Sequence, residues 1–401
     1  MMEAVSEKRR RISINDVKPG MYLEDVFNKE GVLLLARKTA INSFEQVEML
    51  RRSGVSEVFI NLDLGIDIST NKEHSSVSDT REQAYYQELA RAKEVHKKTL
   101  ETAREALNSV RMGKHFSVDF IESTAEEMVE SILRNPDALV SLSQIKGYDE
   151  YTYVHSINVG ILITSLAHSM GYPEDLLVQC CTGGILHDIG KMRTPEPILN
   201  KQGKFTDTEF EIMKKHPEHG IEILKNSNGI SDFSKSIVIE HHERYNGNGY
   251  PKGLKGKEIN EIGLIAAVTD VYDALTTDRV YRAAWTPQKA LAMIFQGCDK
   301  DYSREIVEIF TKHLGIYPVG SFVKLVSGEL GVVIRVDKGE LLAPDVLVLF
   351  SNGKRLAKPI EYKLTKKQKE QDGTQFNIEI SLNPKEYGVE IGEYIKGNPL
   401  E

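Results

Sequence analysis

The spacing of hydrophobic positions changes three times along this 401-residue chain, and each change predicts a different kind of element. From Ile12 to about Leu64 the pattern is short-range: an extended start (ISINDVKPGMYLEDVF), a turn at Lys29 to Gly31 and the apolar run VLLLA. A helix from about Ser43 to Arg52 follows, with Phe44, Val47 and Leu50 on one face, and then the strand SEVFI after Gly54. This predicts a small α/β module over residues 1–64. Residues 65–80 are rich in Ser, Thr, Asn and Asp and read as a linker. From Arg81 to about Val110 the chain is charged and free of Pro and Gly, with Leu89, Ala92, Val95, Leu100 and Ala103 forming a narrow stripe. A long helix within 81–117 is expected. The plainer reading makes it an arm covering the next domain, and the functional one a helix through which a homodimer forms.

Over residues 118–316 the period is helical throughout, with Ile121, Met128, Ile132 and Leu139 in one stretch and Ile157, Ile161 and Leu166 in another. An all-α core is predicted. Beyond Pro318 the runs GSFVKLVSGELGVVIRVD, DVLVLFSNGKRL and FNIEISL are short, β-rich and separated by Gly, Asn or Asp, predicting a barrel-like β-domain over 317–401. Its charged KLTKKQKEQDG stretch reads as a solvated loop.

Composition narrows the function classes. An apolar fraction of 40% and a charged fraction of 27% are those of an ordinary globular protein. A formal charge of −8 argues against non-specific nucleic-acid binding, which needs excess Lys and Arg to displace counterions. Cys180, Cys181 and Cys298 offer no disulfide framework and read as buried thiols. The N-terminal MMEAVSEKRRRISI lacks an apolar stretch after its basic residues, and no window approaches the length of a membrane span, so a cytoplasmic protein is expected.

The chemistry lies in the helical core. Histidines gather in YTYVHSINV, GGILHDIGKMRTPEPIL, MKKHPEHG and HHERYNGNGYP, and AAVTDVYDALTTDRVYR adds Asp270 and Asp273. Imidazole nitrogens and carboxylate oxygens in such density suit divalent first-row metals. In HDIGK, His187 and Asp188 bring a nitrogen and an oxygen donor together, and Asp188 could bridge two ions. Lys191, one turn on, could offer its ammonium to a phosphate oxygen. Adjacent His241 and His242 would point about 100° apart on a regular helix, so a helix terminus there is expected, made by Gly247, Gly249 and Pro251. Two such ions suit attack on a phosphodiester by a metal-activated hydroxide.

HDIGK with HHERYNGNGYP resembles the HD-GYP domain of the HD phosphohydrolase superfamily, over roughly Val118 to His313, and VKPGMYL resembles a region often found ahead of it. The resemblance implies hydrolysis of cyclic di-GMP to pGpG, and in some members onward to GMP. It implies a first metal held by His155, His187, Asp188 and Asp270, and a second held by Asp188, His216, His241 and His242, with iron or manganese as the ions. Lys191, Arg279 and Arg282 would bind phosphate, and Tyr250 would shape the loop beside the substrate. Tyr151 stands where some members place a glutamate that builds a third metal site, and Glu150 lies off that face, so two metals are expected. Asn246 replaces the family's usual aspartate. His219 and the histidines at 74, 96, 115, 168 and 313 are read as ordinary residues. Two other readings stay open: a nucleotide-sensing protein with little turnover, and a hydrolase of another nucleotide such as mixed cyclic GMP-AMP.

Overall fold

In the computed structural model, the described residues are 9–18, 21–28, 33–35, 39–41, 47, 50–51, 55–61, 74–144, 151–225, 229–278, 282–337, 339–364 and 377–395. They fall into two compact units, residues 1–83 and 84–401.

The first unit is an antiparallel sheet of β1 (Arg9–Ser13), β2 (Tyr22–Asn28), β3 (Leu33–Leu35), β4 (Thr39–Ala40) and β5 (Val55–Asn61). Its order is β1-β5-β2-β3, with β4 also on β2. Alternation along β5, and along β2 on either side of a register shift between Leu23 and Asp25, buries Leu23, Val26, Val58 and Ile60, where they meet Ile12, Met21 and Val47. Most of the helix expected over Ser43–Arg52, and the turn at Lys29 to Gly31, lie outside the described residues.

The long helix α1 runs from His74 to Arg111, so it begins inside the segment expected to be a linker. Ser and Asp are poor signals there, because both serve in loops and in the first turns of helices. From Leu89 onward its apolar stripe packs on the second unit: Leu89, Ala92, Ala103, Ala106 and Leu107 belong to the main core. Glu88, buried, accepts from Arg134 Nε at 2.8 Å and from Ser131 Oγ at 2.7 Å. The stripe that suggested a dimer helix is therefore covered by the chain's own core.

That core is helical, with α2 (Val118–Arg134), α3 (Pro136–Ser143), α4 (Tyr151–Ser169), α5 (Glu174–Leu186), α6 (Glu196–Leu199), α7 (Asp207–Met213), α8 (His216–Lys225), α9 (Asp232–Glu240), α10 (Glu261–Thr276), α11 (Pro287–Gln296) and α12 (Arg304–Leu314). The helices α4 and α10 are buried nearly all round, and α5 over its C-terminal half. They stand at the centre and carry ligands or their supports, as helices apolar on every face should.

The C-terminal sheet comprises β6 (Phe322–Leu325), β7 (Leu330–Arg335), β8 (Asp345–Ser351), β9 (Lys354–Lys363) and β10 (Ile378–Leu382), followed by α13 (Ile391–Ile395). Its order is β10-β6-β7-β8-β9, an open antiparallel sheet with β10 and β9 as its two edges. The barrel-like expectation is thereby corrected. Short apolar strands with Gly turns are shared by open sheets and barrels, and closure depends on strand pairing that local pattern does not encode. The charged stretch from Thr365 onward lies outside the described residues.

Candidate metal centre

The site is assembled at the ends of helices. Helix α5 stops at Leu186; His187 caps it, and Asp188 opens a 3-10 turn over Ile189–Arg193. Gly190 lets this turn lie on the start of α8, because a Cβ there would fall 1.9 Å from the carbonyl oxygen of His216. Likewise α9 stops at Glu240, with His241 as its cap, so His241 and His242 leave the helix on one side. The loop beyond folds tightly: a Cβ on Gly249 would lie 2.3 Å from the backbone nitrogen of Arg244.

The donors converge on Asp188. One set of ligand atoms from Asp188, His216, His241 and His242 lies within 4.8 Å of one another, and a second set joins His155, His187 and Asp188. Asp188 Oδ1 is 3.3 Å from His216 Nε2 and 3.7 Å from His241 Nε2, while Oδ2 is 3.3 Å from His187 Nε2 and 3.9 Å from His155 Nε2. Asp270 joins from α10, its Oδ1 3.1 Å from His155 Nε2 and its Oδ2 3.9 Å from His242 Nδ1.

Supporting hydrogen bonds fix which nitrogen faces inward. The Nδ1 atoms of His187, His216 and His241 lie 2.7, 2.8 and 2.9 Å from the carbonyl oxygens of Gly184, Met213 and Val238. His155 Nδ1 is 2.7 Å from Asp273 Oδ2. A carbonyl can only accept, so Nδ1 of His187, His216 and His241 carries the proton and their Nε2 atoms present lone pairs. Those lone pairs then point at a carboxylate and at each other: His216 Nε2 and His241 Nε2 are 3.2 Å apart, and buried His187 Nε2 and Asp188 Oδ1 have no hydrogen-bond partner among the described residues. Such an arrangement is repulsive unless a cation sits among the atoms. Two ligands bonded at about 2.0–2.2 Å to one ion are themselves roughly 3 Å apart, which the spacings here match. The donor set fits divalent metal.

The protonation states of Asp188, His241 and His242 agree. Burial alone would raise the pKa of Asp188, but the neighbouring His187, the Lys191 ammonium and His216 hold it well below the usual carboxylate range. Burial pushes His241 down to about 4, and burial with the neighbouring His241 and His216 lowers His242 well below its ordinary value. For His155, burial opposes the charge, yet Asp270 and Asp273 outweigh it and raise the pKa to about 9. A proton on its Nε2 and a divalent ion would compete for the same lone pair.

Lys191 Nζ lies 2.5 Å from Asp188 Oδ2, with its side chain 24% exposed against 2% for Asp188. Tyr250 stacks on His242 with ring centroids 4.7 Å apart. Asn246 is not among the converging donors; its Oδ1 accepts from the backbone of Asn248 at 2.9 Å and shapes the turn. Arg282 directs Nη2 to the carbonyl of Ala274 at 2.5 Å. Arg279, Glu150 and the side chain of Tyr151 lie outside what is described.

Cyclic di-GMP phosphodiesterase PA4108 of Pseudomonas aeruginosa is 34% identical to this chain over 360 residues, covering 85% of each protein. The chain belongs to the HD-GYP family of cyclic di-GMP phosphodiesterases. Residues 127–306 match the HD domain family, and residues 9–120 match a domain of unknown function, DUF3391. A cyclic di-GMP phosphodiesterase of Thermotoga maritima is 40% identical over 197 residues, 48% of this chain and 53% of that protein. A 3'3'-cGAMP-specific phosphodiesterase 2 of Vibrio cholerae is 35% identical over 163 residues, 40% of this chain and 31% of that protein. All the converging donors of this HD-GYP chain lie inside the HD match.

Asn158 and Glu243 were given no role from the sequence, and Asp273, counted there with the donors, is a support of His155. Asp273 orients His155 and accepts from Asn158 Nδ2 at 3.1 Å. Glu243, 1% exposed, accepts from the backbone nitrogens of Lys252 and Leu254 at 2.8 and 3.0 Å and so pins the GYP loop. The available signal was helical spacing, since Asp273 and Asn158 each lie three residues after a proposed ligand.

Proposed function

We propose that this protein hydrolyses cyclic di-GMP to pGpG at a binuclear metal centre. The carrying observation is the convergence of imidazole Nε2 lone pairs on the single carboxylate of Asp188, beside a partly exposed ammonium. His155, His187, Asp188 and Asp270 would hold one ion, and Asp188, His216, His241 and His242 the other. Iron or manganese suits so nitrogen-rich a set. When bound, such ions supply the Lewis acidity and the lowered water pKa that phosphodiester hydrolysis needs at neutral pH.

The chain's own residues bind, orient and screen. Lys191, between the buried carboxylate and solvent, is placed to bind a phosphate oxygen and offset its charge. Arg279 and Arg282 are proposed as further phosphate contacts by their place in TTDRVYR. Tyr250 covers His242 and keeps bulk water from that side. In the reaction a water oxygen bonds to phosphorus, the phosphorus to O3′ bond breaks, and O3′ takes a proton.

The likeness to a 3'3'-cGAMP-specific relative keeps a second substrate in view. Side-by-side turnover of both nucleotides by manganese-loaded protein is the test. Linear pGpG from cyclic di-GMP is expected; turnover of the mixed nucleotide alone would overturn the assignment.

A further inference from the structure

Within the second unit lies a cleft of about 200 Å³ whose walls the mechanism does not use. Its walls come from α1 (Asn108, Arg111), the first turn of α4 (Thr152, Tyr153) and the segment after HDIGK (Met192, Asn200). The cleft shares α4 with the proposed ligand His155 and follows the HDIGK turn that carries Lys191, the proposed phosphate contact.

Its size and chemistry are specific. Ligand pockets for whole drug-sized molecules run to roughly 300–1,000 Å³, so this cleft suits one ring system of a dinucleotide. Met192 and Tyr153 offer surfaces for a flat ring. Asn108 and Arg111 supply donors. Tyr153 donates its hydroxyl to Asn108 Oδ1 at 2.9 Å, which fixes the amide and turns its Nδ2 the other way. Arg111 Nη1 is held by Glu196 Oε1 at 2.9 Å, a contact that uses one corner of a five-donor fork, and the side chain is 29% exposed.

We propose that this cleft is a nucleobase subsite that selects guanine, read by Arg111 with Asn108. Guanine presents two acceptors, O6 and N7, to such donors, whereas adenine puts an N6 amino donor where O6 would be. Two donors facing each other exclude adenine. The proposal rests on the cyclic dinucleotide reading above and deepens it. One subsite reads one base, so cyclic di-GMP and mixed cyclic GMP-AMP should both be accepted and cyclic di-AMP refused.

The test uses the full chain loaded with manganese and three probes: cyclic di-GMP, cyclic di-AMP and bis(p-nitrophenyl) phosphate, which carries no base. Arg111→Leu should raise KM for cyclic di-GMP about tenfold or more, and at least tenfold beyond any change with bis(p-nitrophenyl) phosphate. Asn108→Asp, which keeps the Tyr153 contact and replaces a donor with an acceptor, should shift the kcat/KM ratio toward cyclic di-AMP. Equal losses on the baseless ester, or an unchanged base preference in both variants, would overturn the subsite. Wild-type protein that cleaves the ester but no guanine-containing dinucleotide would instead overturn the functional reading.

Discussion

Single residues of the site divide into shared ligands and the supports that orient them. Asp188 stands in both ligand groups, so Asp188→Ala should lose both metal content and turnover together, measured by elemental analysis and assay on one sample. Metal-replete, active variant protein would refute the shared role. Lys191→Ala should keep its metal while turnover falls by roughly 10²-fold or more, as loss of a charge aimed at a reacting phosphate does. Asp273 acts through His155, so Asp273→Asn should weaken metal binding by about 10–100-fold, seen in a chelator competition titration. Unchanged affinity would mean the imidazole is held without it. The ligands were legible because imidazole and carboxylate are rare in apolar helical runs. Their supports were not, because Asn158 and Glu243 look like any polar residue, and Asp273 like one more donor, until a partner from a distant segment is known.

At the scale of elements, helix ends decide the site. Both His187 and His241 are cap residues, and Gly190 permits the approach of the HDIGK turn to α8. Gly190→Ala should cost about 3 kcal/mol or more, beyond ordinary overpacking, since the clash is with backbone. A urea melt on the metal-free chain checks this; near wild-type stability would show that the two elements can separate cheaply. The adjacent histidines and the Gly-rich turn made the end of α9 readable in the sequence. The start of α1 was not readable, because Ser, Thr and Asp at 75–80 suit a loop and a helical first turn alike. The C-terminal strands were visible as short apolar runs, while their open pairing depends on contacts far apart in the chain.

At the scale of the whole molecule, the ionisable groups outside the metal centre also shape stability. Burial raises the pKa of Asp345, on β8, to about 6, with Arg335 only partly offsetting it. Its folded form therefore holds a proton more tightly than the unfolded chain. The associated stability is full below about pH 4 and is lost as pH rises through about 6. A two-unit shift corresponds to roughly 3 kcal/mol. The difference between wild type and Asp345→Asn in urea melts should change across that window and stay level above pH 7; a level difference throughout would contradict the assignment. Among the described residues no helix is long and apolar enough to cross a membrane. The measurement that bears most directly on the central claim is metal stoichiometry and cyclic di-GMP turnover on the same anaerobically purified sample loaded with iron or manganese. Two ions per chain with release of pGpG is the predicted result. Metal-bound protein without turnover, or turnover that survives complete removal of metal, would contradict it.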